Sequence, residues 1–92
     1  MIGHVVSATT HRLVAVFTLV RALREECVAQ LEAEFGDSLT LSASTMTIRC
    51  DIRAPDRDGA TSEGLTRIYQ AFDQAELMTD TYRMDSLSVE RL

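Results

Sequence analysis

The sequence has no lysine and no tryptophan, a single proline, four glycines and two cysteines among its 92 residues. Two cysteines are too few for the several disulfides that hold small secreted domains together, so we expect free thiols in a reducing cytoplasm. The longest apolar run, Leu13–Val20, is shorter than the ~20 residues that a transmembrane helix needs, and we find no secretion signal. The sequence therefore predicts a soluble cytoplasmic protein that does not bind a membrane.

Positive charge is also scarce. The chain has 14 Asp and Glu residues against nine basic residues, for a formal net charge of −5. An acidic chain is a poor candidate for direct nucleic-acid binding and suits a basic protein partner. All nine basic residues are arginine. This bias is explained either by the preference for Arg over Lys at protein interfaces or by the codon usage of a GC-rich genome.

Length and composition are those of one small globular domain. Apolar residues make up 46% of the chain and charged residues 25%, both close to the globular average. A chain of this size has one modest core. We predict a single domain over residues 1–92.

The segment Met46–Arg53 alternates apolar and polar residues without a break. Because side chains on a strand point to opposite faces at a period of two, this pattern predicts a strand with one buried and one exposed face. The exposed face would carry Thr47, Arg49, Asp51 and Arg53. A half-exposed sheet favours an antiparallel or mixed arrangement with helices on one side only.

The region before this strand has two interpretations. Apolar residues from Leu13 to Phe35 recur at helical spacing, which predicts one helix over Thr10–Phe35, about 39 Å long, with Thr9 or Thr10 as N-cap and Gly36 as the stop. Such a helix would be apolar on most sides at its start, and subunit association would bury that surface. The alternative is a strand over residues 13–19, which are rich in β-branched residues, followed by a helix from Val20. Residues 2–8 form either a short strand or a loose arm.

The remaining elements follow from local patterns. Leu39–Ala43 alternates as a short strand, joined to the next strand by a hairpin link, and Pro55 ends that strand. Thr61 or Ser62 caps a second helix, whose buried stripe is Leu65, Ile68, Phe72 and Ala75. Tyr82–Arg91 is a last strand whose alternation changes phase, which predicts a bulge near Asp85 and Ser86.

The element order is therefore (β)αββαβ. This order predicts an α+β fold of the ferredoxin-like, split βαβ type, or a truncated relative, with a small antiparallel or mixed sheet and two helices on one face.

The sequence contains no recognisable catalytic or metal-binding constellation. His4 and His11 are the only histidines, and they do not combine with Cys27 or Cys50 at metal-ligand spacing. Asp56–Gly59 with Glu63 lacks the oxygens of a calcium loop and is better explained as a turn before a helix. Neither a phosphate-binding glycine loop nor a nucleophile elbow occurs. We expect no enzyme activity, cofactor, metal or small-molecule substrate.

The charged strand face is the candidate site. We expect Arg83 and Asp85 on a strand next to the Met46–Arg53 strand, where cross-strand Arg–Asp pairs would stabilise the sheet. The same residues could form an arginine-bearing contact surface for another protein. The candidate interaction residues are Thr47, Arg49, Asp51, Arg53, Arg83 and Asp85.

The second half of the chain resembles the tail-terminator and tail-completion proteins of tailed bacteriophages. The resemblance covers residues 45–92 and rests on element order: a strand (Thr45–Arg53), a loop (Ala54–Ala60), an amphipathic helix (Leu65–Leu77) and a closing strand (Arg83–Arg91). Proteins of this family are non-enzymatic and assemble as rings at the end of the tail tube. The resemblance implies a virion structural or assembly component.

Taken together, the sequence predicts a non-enzymatic protein that works by protein–protein contact, either as a homo-oligomer or on a protein partner, in the cytoplasm or in a virion. One alternative is a small acidic inhibitor of a host complex, steered by charge to a basic site. Another is a ferredoxin-like regulatory module that binds a ligand, which a polar hole in the apolar core would support.

Overall fold

A computed structural model of the chain describes residues 8–92 and shows four strands and two helices. The elements, in chain order, are β1 (Thr9–Leu19), α1 (Glu25–Phe35), a 3-10 turn (Gly36–Ser38), β2 (Leu39–Leu41), β3 (Thr45–Ala54), α2 (Arg57–Gln74) and β4 (Tyr82–Arg91). The predicted α+β class and element order are confirmed. The alternatives for residues 2–8, a short strand or a loose arm, fall outside the described residues except at residue 8.

The four strands form one sheet in the order β2-β3-β1-β4, with every neighbouring pair antiparallel. β3 therefore lies between β1 and β2, the two strands that α1 connects, and β1 lies between β3 and β4, which α2 connects. This is the split βαβ arrangement. Because β1 and β3 are central, they fix the positions of most side chains on both faces.

The predicted helix over Thr10–Phe35 is wrong, and the alternative interpretation is the correct one. Residues 9–19 are the strand β1, and the helix α1 begins only at Glu25. β1 pairs along its length with β3 on one side and β4 on the other. These long-range pairings outweigh the local helical spacing, since a central strand can be apolar on both faces. The subunit association argued from a helix apolar on all sides therefore loses that basis.

α1 ends where the sequence predicts. Phe35 is its last residue, and Gly36 follows with φ of +55°. A left-handed conformation costs glycine little because it has no Cβ.

α2 begins four to five residues before its predicted caps. Asp56 is the N-cap, and its Oδ1 accepts a hydrogen bond from the Gly59 N–H at 2.7 Å. Thr61 instead lies inside the helix, where its hydroxyl donates to the Arg57 carbonyl. The predicted turn at residues 56–59 is thus the first turn of the helix, and an aspartate cap satisfies one of its free N–H groups.

The predicted bulge in β4 is confirmed. Val16 lies opposite Ser86 and Phe17 opposite Met84, so Asp85 is an extra residue in the ladder. The insertion places Met84 and Leu87 on the same face of the sheet. β2 is shorter than predicted, ending at Leu41, and β3 ends immediately before Pro55 as expected.

The core lies between the sheet and the two helices. Its largest fully buried side chains come from β1, β3 and both helices: Phe17, Phe72, Leu13, Leu31, Met46, Ile48, Ile52 and Ile68. α2 approaches the sheet closely at Gly64, where a Cβ would lie 2.5 Å from Leu13 Cδ1 and 2.6 Å from Ile52 Cδ1. Both helices therefore cover the same face, and the opposite face of the sheet has no helix over it within residues 8–92.

Neither helix in the described part of the chain has the length and apolar character that crossing a bilayer requires.

Candidate functional site

All six candidate interaction residues lie on the helix-free face of the sheet, which we call the outer face. Thr47, Arg49, Asp51 and Arg53 alternate with the buried residues of β3. Arg83 lies opposite Thr18 across the β1–β4 ladder, and Asp85 accepts a hydrogen bond from the Thr18 hydroxyl. The two sets are not on neighbouring strands, however, because β1 runs between them.

The centre of the outer face is formed by half-buried valines surrounded by hydroxyl groups. Val14 and Val16 of β1 occupy the middle strand. Val16 lies between Thr47 and Ser86, and Val14 lies between Arg49 and Ser88. This is a small, flat apolar strip with a polar border, the composition that protein–protein contact surfaces show.

Arg12 is the main residue of the outer face that sequence reasoning missed. Its Nε donates to Asp51 Oδ1 at 3.0 Å, and a terminal nitrogen donates to Oδ2 at 3.3 Å. This two-pronged contact holds the pKa of Asp51 below its ordinary value, because the hydrogen bonds favour the carboxylate, and raises the pKa of Arg12. Arg12 was missed because the sequence pattern placed it on a helix.

The other arginines of this face each make one long contact. Arg49 donates to the Asp37 carbonyl and Arg53 to the Ala8 carbonyl, each at 3.4 Å. Arg83 Nε lies 3.5 Å from Asp85 Oδ1. A guanidinium has five N–H donors, so each of these arginines keeps donors for another molecule.

Charge is distributed unevenly between the outer face and the rest of the chain. The outer face carries four arginines and three carboxylates, a net charge of +1: Arg12, Arg49, Arg53, Arg83, Asp51, Asp85 and Glu90. The other five arginines and eleven carboxylates give the remainder a net charge of −6. The excess is clearest on α1, whose Glu25, Glu26, Glu32 and Glu34 are all exposed and whose sequence contains no basic residue.

The inner face contains one buried histidine. His11 is 4% exposed, and its Nδ1 lies 3.0 Å from the Thr9 carbonyl oxygen. The ring lines a cavity of about 340 Å³ at the end of the sheet, together with Thr9, Pro55, Asp56, Arg57, Val89 and Arg91. Within residues 8–92, no group of three or more His, Cys, Asp or Glu side chains could hold a metal ion.

Both cysteines are free thiols. Cys27 lies in the first turn of α1 and is buried in the core. Cys50 is half-buried and lines a cleft of about 490 Å³ beside β3 with Phe35 and Arg67. Burial raises the pKa of each thiol, since the apolar surroundings disfavour the thiolate. Neither cysteine is therefore an activated nucleophile.

No family model, curated protein or solved structure gives a significant match to this chain. Its function must therefore be argued from the geometry above, and the resemblance to phage tail proteins stays a prediction.

Proposed function

We propose that this protein works by protein–protein contact. The outer face of one copy docks on the acidic helix layer of the next copy, which is the surface formed by α1 and α2. The observation that carries the proposal is the charge separation: an outer face of net +1 on a chain of net −5. Opposite potentials on two surfaces of one molecule favour association of unlike surfaces and disfavour contact between two helix layers.

The composition of the outer face supports such a contact. Val14 and Val16 supply an apolar centre, and the arginines around them supply donors that carboxylates can accept bidentately. The exposed carboxylates of α1, including Glu25 and Glu32, are suitable acceptors. Both parts of the interface are present on every copy.

The geometry of this contact has a consequence for assembly. A surface that binds a different surface of an identical copy is heterologous, so the chain of contacts closes into a ring or continues as a filament. A ring is also the form that the phage tail resemblance implies. Electron microscopy of the oligomer would distinguish these forms.

Two complementary double variants test the proposal. Arg49→Glu with Arg53→Glu reverses the charge of the outer face, and Glu25→Arg with Glu32→Arg reverses that of the helix layer. In sedimentation velocity at low salt, the native chain should associate and each double variant should associate more than about tenfold more weakly. A mixture of the two variants should form a heterodimer, because each copy retains one native surface.

The control is Arg21→Glu with Arg91→Glu, which changes the net charge as much as Arg49→Glu with Arg53→Glu but lies outside β3 and α1, in the loop before α1 and at the end of β4. It should associate like the native chain. A strictly monomeric native chain at high concentration and low salt contradicts the proposal. So does a mixture of the two double variants that stays monomeric, since a native outer face and a native helix layer are then both present and do not associate.

A second candidate function is favoured by the row of exposed carboxylates on α1. An acidic inhibitor would present such a row to a basic site that normally holds nucleic acid. In that case a monomeric native chain would displace DNA from a basic DNA-binding partner, and Glu25→Arg with Glu32→Arg would not.

A further inference from the structure

His11 interrupts an otherwise apolar row. The inward-facing residues that follow it on β1 are Leu13, Ala15 and Phe17, each 0% exposed. A buried polar side chain costs free energy unless its polar atoms are hydrogen-bonded. A polar side chain that is buried in a core position is therefore a stronger indication of a specific role than an exposed charge is.

Only one of the two ring nitrogens of His11 has a partner within residues 8–92. Nδ1 faces the Thr9 carbonyl oxygen at 3.0 Å, and a carbonyl can only accept, so Nδ1 carries the proton. In the neutral ring, Nε2 then has a free lone pair. The ring lines the cavity at the end of the sheet, which gives Nε2 a route to a ligand.

The cavity brings two arginines to this ring from distant parts of the chain. Arg57 is the first residue of α2 and Arg91 is the last residue of β4. Neither forms an ion pair within the described residues. Arg57 also lies at the positive end of the α2 dipole.

One carboxylate, Asp56, lies in the same lining. Its Oδ1 accepts the Gly59 N–H at 2.7 Å and so is occupied as the helix cap. The site as a whole has two guanidinium groups against one engaged carboxylate, which favours an anion.

We propose that this cavity binds a phosphate group, held by Arg57 and Arg91 and hydrogen-bonded to His11 Nε2. The arginines bind the charged oxygens, and the protonated oxygen of hydrogen phosphate donates to the Nε2 lone pair. Sulfate has no such proton at neutral pH and cannot make the last bond. The preference for phosphate over sulfate is thus the distinguishing chemistry of the site.

The volume leaves room beyond the phosphate itself. The cavity has a volume of about 340 Å³. The same site could therefore take inorganic phosphate or the phosphate of a small phosphomonoester. This ligand departs from the sequence-based expectation that the chain binds no small molecule.

The test is a titration of the full chain with inorganic phosphate, glycerol 3-phosphate and sulfate at constant ionic strength, followed by NMR. Phosphate should cause saturable shifts at the His11 ring nitrogens and at the backbone amides of the first turn of α2. Sulfate should bind at least about tenfold more weakly, the value of one charge-assisted hydrogen bond. Tighter binding of glycerol 3-phosphate than of phosphate would identify an ester as the natural ligand, and the reverse would identify free phosphate.

Variants assign the contacts. Arg57→Ala and Arg91→Ala should each weaken phosphate binding about tenfold, whereas the control Arg24→Ala should not change it. His11→Asn keeps a donor near the Nδ1 position but lacks Nε2, and should lose the preference for phosphate over sulfate. His11→Gln places a polar atom nearer Nε2 and should retain part of it.

The arginine variants keep the proposal testable if the histidine variants do not fold, because both arginines are exposed. Unsaturable shifts, equal affinity for sulfate and phosphate, or equal weakening by Arg24→Ala would each overturn the proposal.

Discussion

Phe17 and Val16 are neighbours on β1 but lie on opposite faces of the sheet, in very different surroundings. Phe17 is 0% exposed and packs edge-on against Phe72 and Tyr82, with ring centroids 5.2 and 5.5 Å away. Val16 is half-buried between Thr47 and Ser86, with no helix over it within the described chain. The inner face is closely packed and intolerant of change, whereas the outer face has space, hydroxyl groups and charge. This contrast separates residues that hold the fold together from residues that are free to contact another molecule.

Truncation of these two neighbours should show the largest difference. Phe17→Ala should lower the free energy of unfolding by about 3–5 kcal/mol, because it leaves a cavity among buried rings. Val16→Ala removes less buried surface and should cost about 1 kcal/mol or less. Urea unfolding of both variants measures the comparison, and equal costs would contradict the assignment of the two faces.

Gly64 tests how closely α2 approaches the inner face. Gly64→Ala places a Cβ against Leu13 and Ile52, and overpacking of this kind costs about 1–3 kcal/mol. Alanine has a better helix propensity than glycine, which offsets about 1 kcal/mol of this cost. We therefore expect the free energy of unfolding, measured by chemical denaturation, to fall by about 1 kcal/mol. Ser62→Ala, at an exposed position of the same helix, is the control and should change stability by less than ~0.5 kcal/mol. A stabilised Gly64→Ala variant would show that the helix can move away from the sheet without loss.

Alkaline pH should weaken the inner face. Burial raises the pKa values of Cys27, Cys50 and Tyr82 in the folded chain. These groups therefore ionise more readily in the unfolded chain, so their contribution to stability should be constant below the ordinary thiol pKa of about 9 and fall above it. Thermal unfolding from neutral to alkaline pH measures the slope, and Cys27→Ala should reduce it. A stability that rises with pH in this range would contradict the burial of these groups.

Acid should act on the outer face, with the smallest effect. The folded-state pKa of Asp51 is lowered by Arg12, so its contribution to stability is present above the unfolded pKa and is lost as pH falls through the lower folded value. Both side chains are half exposed, so solvent screens the pair and Asp51→Asn should shift the melting temperature only slightly at neutral pH. That small difference from the native chain should disappear in acid. A large effect at neutral pH would show that the outer face also stabilises the fold.

The same contrast explains which parts of the fold the sequence predicts. β3 and β4 each have one buried and one exposed face, so their alternation, and even the bulge at Asp85, can be read from the residue order. β1 is central, and its outward valines are apolar like its inward residues. The period of two is therefore masked, and the spacing fits a helix equally well. The pairing of β1 with β3 and β4 makes this segment a strand and not a helix. No local sequence pattern shows that pairing.

The candidate sites follow the same rule. The outer-face residues of β3 are visible because they alternate within one segment. Arg12 was missed because its partner, Asp51, lies 39 positions away and its own strand was assigned to a helix. The His11 cavity draws its lining from the start of β1, the start of α2 and the end of β4. Because only the tertiary fold brings these three segments together, no local pattern predicts the cavity. The one local indication of it is His11, a polar residue at the start of an apolar strand.

The extra residue at Asp85 also limits how this chain can vary in length. Tyr82 and Met84 precede it, Leu87 and Val89 follow it, and all four face the helices because the bulge absorbs the one residue that breaks their alternation. Deleting Asp85 would leave these four side chains in unbroken alternation on the same face, whereas deleting Ser88 would turn Val89 toward solvent. Deletions should therefore be tolerated in the loops around β4 and at the bulge but not elsewhere in the strand, so that the residue count on either side of Asp85 is as constrained as the composition of the core.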